Sequence, residues 1–324
     1  MTRKEQYRHL CQTEGDSIPL FLQYWWMDAV CQGKQWDVAL AYGKDGRIAG
    51  ALPYLLGRKG VLRYILQPQL TQYNGPWYNY GLIAGKGEPS VFDRLQFEQE
   101  VAEQLVASLK QLRLVFYSQC FSPSVTNWQP FYEHGYSQTT RYTYRIEDIS
   151  DPQRVFADFI PKRQRKILKW QSSVSVDVTD DADWFASYHS KYWQSKGQNE
   201  LLPHSLMVRL CQTAMARNAG VIFRLRSEDG HPVAAAFMPY DSHAAYLLQS
   251  AYSLEHYHNA HVILLIWNAI QWLSSRTRSF DFEGSMIPGV AYFNRTFGAV
   301  PIPYFQITKY SNGLVRRMVE CRSL

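Results

Sequence analysis

Two carboxylates in the last third of the chain stand where a reaction could use them. Asp281 and Glu283 alternate with Phe280 and Phe282. On an extended segment, this alternation sends both carboxylates to one face and both rings to the other. An acidic face on an inner strand is costly unless it meets a cleft, water or a basic partner. The pair suits general-base chemistry, the removal of a proton from an amine or hydroxyl. Glu283 is favoured as the base because it lies nearer the end of the strand. A salt bridge to the basic run at 162–169, or to Arg295, accounts for the same pattern equally well.

Three further groups could bind rather than react. Lys162, Arg165, Lys166 and Lys169 recur at i, i+3, i+4 and i+7, one stripe of a helix. Like charges at that spacing repel, so an anion such as a substrate phosphate would stabilise them; an ordinary solvated face is the alternative. The loop from Thr71 to Tyr80 mixes aromatic faces with amides and hydroxyls at Tyr73, Asn74 and Trp77. That mixture suits a sugar or peptide, or else a self-packed loop. His256, His258 and His261 fall close together, but no carboxylate or Cys completes a zinc spacing, so no metal is expected.

These residues need elements to hold them. In the second half, Ser150-Asp-Pro-Gln153 has the form of a capping box, and the basic helix follows over 162–170. The alternation at 174–178 predicts a strand. Helical spacing covers 181–193, capped by Thr179 or Asp180, and 206–214, with Gly220 as its stop. Apolar runs on either side of Asp229-Gly230 predict a hairpin. Then come a strand at 244–249, a largely buried helix at 259–273, a strand at 279–283, a short helix at 290–297 and a closing strand at 303–309. The first half repeats this order: a hairpin around Asp45-Gly46, a helix at 91–109, a strand at 114–117, a short helix before Gly135 and a closing strand at 139–146. Such a repeat points to duplication, with domains at 1–150 and 151–324. The extra length of the first half sits at residues 60–87.

Composition agrees with a large packed core. Of the 324 residues, 46% are hydrophobic and 15% aromatic, which argues against disorder. A net charge of +6 fits an anionic ligand but is too small and too scattered to argue for DNA. Five widely spaced Cys with no C-x-x-C read as reduced thiols. The first residues form no signal peptide and no apolar run approaches a membrane span, so the expected location is the cytoplasm, with peripheral membrane contact left open.

The element order, together with Phe280-Asp-Phe-Glu-Gly-Ser285, Val290-Ala-Tyr-Phe-Asn294, Phe297-Gly298 and the basic helix, resembles the GNAT acyltransferases, in particular the Fem and cellulose-biosynthesis branch. The resemblance covers 151–310 well and the first half by architecture. It implies an α/β (mixed α+β) fold of two tandem GNAT-like domains, each a twisted mixed sheet flanked by helices. It also implies acyl-coenzyme A (acetyl-CoA) as co-substrate, with no tightly bound cofactor. The carrier's pyrophosphate would lie on the helix start at His256, His258, Asn259, Ala260 and His261, where free amides and the helix dipole favour phosphate. This segment has no Gly, which that loop in the family normally carries. The implied acceptor is a small-molecule or nucleotide-linked intermediate of a cell-surface polymer. Binding would fall to Lys162, Arg165, Lys166, Tyr73, Asn74, Trp77 and Arg295, and catalysis to Glu283 and Asp281. Two alternatives follow from the same resemblance. One is a Fem-type transferase that draws on aminoacyl-tRNA, although Asn294 stands where Fem relatives commonly carry Lys. The other is a GNAT-like binding module without catalysis.

Overall fold

The structure, a computed structural model, describes all residues except 33, 85–87, 199–201, 254, 256–259, 285 and 322–324. The first half runs α1 (Arg3–Thr13), α2 (Tyr24–Val30), β1 (Trp36–Tyr42), β2 (Ile48–Lys59), β3 (Leu62–Leu66), β4 (Trp77–Tyr78), α3 (Val91–Gln111), β5 (Leu114–Cys120), α4 (Gln129–Glu133) and β6 (Ser137–Ile146). The second half runs α5 (Pro152–Asp158), α6 (Pro161–Trp170), β7 (Val174–Thr179), α7 (Ala182–Ser195), α8 (His204–Met215), β8 (Gly220–Ser227), β9 (Pro232–Pro239), β10 (Ala244–Tyr246) and β11 (Gln249–Tyr252). It continues with α9 (His261–Leu273), β12 (Ser279–Gly284), α10 (Pro288–Arg295), β13 (Val300–Tyr310) and α11 (Gly313–Glu320).

The chain forms two compact units, Met1–Arg141 with Pro303–Leu324, and Tyr142–Ile302. The sequence places its division at residue 150; the contacts place it earlier and return the C-terminal segment to the first unit. The reason lies in two strands. Residues 142–146 of β6 belong to the second unit, where they pair antiparallel with β12. Residues 306–310 of β13 belong to the first unit and pair antiparallel with β5. The strand that the repeat assigns to each half thus gives its end to the other unit's sheet.

In the first unit the Asp-Gly turn forms as expected. Gly46 takes φ +77°, which only glycine adopts readily, and β1 and β2 pair antiparallel. β2 continues into pairing with β3, which runs parallel to β5. Ser90 caps α3 by accepting from the Asp93 N–H. The helix then buries Val101, Ala102, Leu105, Val106 and Leu109, a helical stripe, against Leu52, Tyr54, Ile65, Tyr117 and Ile307.

The second unit is built around the antiparallel series β7–β8–β9–β11, with Gly230 at φ +78° in the β8–β9 turn. α9 is apolar nearly all round and packs on β8 and β9. Several local expectations are corrected. Asp151, not Ser150, caps α5, because its carboxylate accepts from the Gln153 and Arg154 N–H groups. Asp181 caps α7 by accepting from Trp184 N–H. Gly220 does not stop α8 but opens β8: an added Cβ there would lie 2.8 Å from that of Ala214 and 3.0 Å from the Phe237 ring. The strand expected at 244–249 is two strands. The Leu248 N–H bonds back to Tyr246 O at 2.8 Å, a tight turn that transfers the chain from β12 to β9.

Gly75 combines a positive φ with a close approach. Its φ is +95° and an added Cβ would lie 2.4 Å from the Phe121 ring. Gly75→Ala should therefore lose about 2–4 kcal/mol of stability through backbone strain and overpacking. Gly15→Ala, with nothing within 4 Å of its Cβ position, should change stability by less than about 0.5 kcal/mol. Denaturant unfolding of the two variants checks the pair.

Candidate functional site

Asp281 has no solvent exposure, so its charge must be met inside the second unit. Oδ1 accepts from the Thr143 hydroxyl at 2.5 Å and from the Glu283 N–H at 2.8 Å. Oδ2 accepts from the Arg145 guanidinium at 2.9 and 3.2 Å. Thr143 and Arg145 alternate on β6 opposite β12, so their side chains reach the same face. Asp281 is ion-paired, as the sequence allowed, but its partner is Arg145 rather than the basic helix or Arg295. Both carboxylate oxygens are engaged, which makes Asp281 a bracket rather than a base.

The bracket holds Glu283 in an unusual place. Register runs Asp281↔Arg145 and then Gly284↔Thr143, so β12 carries one extra residue and bulges. Glu283 takes φ +64°, a left-handed conformation costly for any residue with a Cβ. The simple alternation expected for Asp281 and Glu283 therefore ends at the bulge. Glu283 is half-buried, and its Oε1 is enclosed with no hydrogen-bond partner among the described residues. Burial, and next the charge of Asp281, push its carboxyl well above the usual carboxylate range. Buried Tyr246 belongs to the same group. Its hydroxyl is held far from ionisation by burial, then by Asp241, with Arg145 opposing and Asp281 and Glu283 adding to the effect.

The strands part beside this group. β10 runs parallel to β12 as far as Tyr246↔Asp281, and Leu247 N–H bonds Asp281 O at 2.9 Å. From Gln249 onward the chain pairs with β9 instead. Glu283 thus sits just past the point where β12 loses a neighbour.

Of the residues expected to hold a phosphate, His256, His258 and Asn259 lie outside the described residues. Ala260 is buried and stands at the start of α9, where no side chain caps the helix. His261 is its first residue, and the Leu264 N–H to Ala260 O bond closes the first turn.

On α6, Lys162 and Arg165 are exposed, and neither forms an ion pair among the described residues. Lys166 is half-buried, and burial followed by the charges of Arg163 and Lys162 lowers its ammonium pKa. Arg163 faces the protein instead. It donates to the Thr296 hydroxyl at 2.7 Å and lies over the Phe293 and Phe297 rings. Arg295 is exposed and donates weakly to Ala291 O one turn earlier. Asn294 is buried with no partner for Nδ2.

The loop residues of the first unit pack against the chain. Tyr73 is buried edge-on against Tyr304 and Phe21. Asn74 accepts from the side chain of buried Gln119 at 2.8 Å, and its own N–H donates to Cys120 O. Trp77 donates to Ser17 O at 2.9 Å and borders a cavity of about 410 Å³ with Tyr78, Tyr80 and Arg94. Aromatic and amide side chains were legible as a cluster, but the Asn74 side chain and the Trp77 indole N–H bond to the chain itself. Sequence reasoning missed Thr143, Arg145 and Tyr246; the alternation on β6 was the available signal for the first two.

Arg145→Ala would strand a buried carboxylate and should cost about 3–5 kcal/mol in unfolding free energy, measured by denaturant titration. Glu283 should give a pH signature. Its folded pKa is raised, so above the ordinary carboxylate range the unfolded state releases the proton first and stability falls as pH rises. Glu283→Gln should match wild type near pH 4 and melt higher than wild type at pH 8. Equal melting temperatures across that range would remove the enclosed carboxyl.

Residues 160–292 match the acetyltransferase (GNAT) domain family. No curated protein sequence matches the chain. Among solved structures, FemX superposes with a TM-score of 0.68 at 11% identity, covering 94% of this chain and 96% of that one. The C-terminal domain of a putative lysylphosphatidylglycerol synthetase from Agrobacterium fabrum gives 0.62 at 9% identity, covering 98% and 96%. A tandem GNAT protein from the clavulanic acid biosynthesis pathway gives 0.52 at 12% identity, covering 96% and 95%. The chain is a mixed α/β protein of the GNAT-type acyltransferase fold.

Proposed function

We propose that the chain is an acyltransferase of two GNAT-like domains, with its reaction centre at Glu283 in the second unit. The observation that carries this is the enclosed, high-pKa carboxyl of Glu283 beside the point where β10 and β11 leave β12. Parted strands admit a thioester arm, and the positive end of the α9 dipole favours its phosphates. Acyl-coenzyme A is the donor in this reading. The acceptor is an amine or hydroxyl of a sugar or nucleotide-linked intermediate of a cell-surface polymer, its phosphate met by Lys162 and Arg165.

The acceptor nitrogen or oxygen attacks the thioester carbonyl as its proton passes to the Glu283 carboxylate, directly or through one water. The tetrahedral centre then collapses, the C–S bond breaks, and the thiolate takes up a proton. A carboxylate whose pKa is raised by burial and by the neighbouring Asp281 has more driving force for accepting that proton than an ordinary one. Asp281 serves this step by fixing the Glu283 backbone. Tyr73, Asn74 and Trp77 are read as support for the first unit rather than as ligands.

A second reading, transfer of an aminoacyl group from tRNA, is favoured by the likeness to FemX and to the lysylphosphatidylglycerol synthetase domain. The two readings separate in one experiment. Turnover is measured with a panel of acyl-coenzyme A donors and with charged tRNA. The first reading requires a coenzyme A donor, and Glu283→Gln should then be slower by about 10²–10⁴-fold. Near-normal turnover in that variant excludes the base role, and activity with charged tRNA alone selects the second reading.

A further inference from the structure

The second unit carries eight large apolar side chains that are strongly exposed among the described residues, and four of them fall within one stretch. Met286, Ile287, Val290 and Tyr292 are 58, 65, 41 and 63% exposed. They lie at the entry to and along α10, directly after the strand that bears Glu283. A concentration of this kind is unlike the scattered single apolar residues of an ordinary surface, and it marks a contact site.

The chemistry of the contact is set by what adjoins it. α6 is fastened to the end of α10 by Ile160 N–H to Thr296 O, by Arg163 to Thr296, and by the Arg163 guanidinium over Phe293 and Phe297. α10 spans eight residues, so its exposed start lies within about 15 Å of this junction at 1.5 Å per residue. Residues 159–170 contain five bases and no acid, and residues 286–297 contain no acid either. Going around α6 from the edge that Arg163 presents to α10, Lys162, Lys169 and Arg165 lie on one side, about 100°, 120° and 160° away at 100° per residue. Lys162, Arg165 and Lys169 are exposed. Exposed Asp158 lies at the junction against Gly298, but the five bases outweigh it, and Lys162, Arg165 and Lys169 form no ion pair among the described residues. Apolar side chains beside these bases match an amphiphilic anionic surface: tails for Met286 and Ile287, phosphates for the bases.

We propose that Met286, Ile287 and Val290, with Lys162, Arg165 and Lys169, form a docking face for an anionic lipid bilayer. No helix among the described residues is long and apolar enough to cross a membrane, so the contact is peripheral. It places the chain's Glu283 strand next to a lipid surface, and it holds whichever acyl donor is used, because binding is read without turnover.

The test is co-sedimentation of the full chain with phosphatidylcholine vesicles, with and without about one third phosphatidylglycerol. Binding is expected only to the anionic vesicles, and it should weaken as salt rises. Met286→Ser with Ile287→Asp should reduce the vesicle-bound fraction at least about tenfold. Lys162→Gln with Arg165→Gln should do the same at low salt, since each basic residue near an anionic surface is worth about a fivefold change. Val290→Ser provides a milder variant should the double change disturb folding, and melting temperature controls for that. Absence of binding to anionic vesicles, or binding unaltered in both double variants, overturns the proposal. So does sedimentation showing a dimer that Met286→Ser/Ile287→Asp dissolves, which would assign the face to a second copy of the chain.

Discussion

A carboxylate removed from water must be surrounded by donors, and among the described residues Thr143, Arg145 and Glu283 donate to Asp281. Two of those residues, Thr143 and Arg145, come from β6. The third is the backbone of Glu283. A single buried charge therefore joins two antiparallel strands and fixes a bulge at the same time. Removing the carboxylate would release the Glu283 N–H and leave Arg145 without its counter-ion. The left-handed backbone of Glu283 persists because the bracket over-determines it, which is the usual condition for strain at a working site.

The same arrangement separates two carboxyls only two residues apart. Asp281 is supplied with donors on both oxygens. Glu283 has an enclosed oxygen with none among the described residues, and the charge of Asp281 disfavours its ionisation. Neighbouring groups with unlike surroundings are how one fold provides both a bound carboxylate and a base. Sequence alternation alone would have made the two residues equivalents.

Much of the second unit was legible from local signals. The Asp229-Gly230 turn, the apolar helix before Leu273 and the Phe280/Phe282 pair all obey rules acting over a few residues, and both rings do enter the core. What escaped depended on partners far away in sequence. The break between β10 and β11 follows from which strand each half pairs with, and no residue type announces it. The bulge at Glu283 is likewise set by register against β6. Gly220 looked like a helix stop because its glycine character is visible, whereas the close approach of Ala214 and Phe237 is not. α1 was missed although Thr2 and Glu5 form a capping box, since its apolar positions, Tyr7 and Leu10, are too few to show a period. The loop around Asn74 illustrates the opposite error: a polar cluster reads as a binding surface until Gln119 is found to occupy it.

The crossed ends of β6 and β13 have a consequence for how the chain is made. A ribosome delivers residues in order, and the first unit's sheet lacks the strand beside β5 until residues 306–310 have emerged. For most of synthesis the edge of β5 is exposed, an open template for the wrong strand. The first half cannot finish before the second has been made, so the usual advantage of folding one domain while the next is translated is lost. Cutting the gene at residue 150 would leave β12 without Thr143 and Arg145 and β5 paired with β3 but not with β13, giving two fragments with frayed sheets rather than two domains.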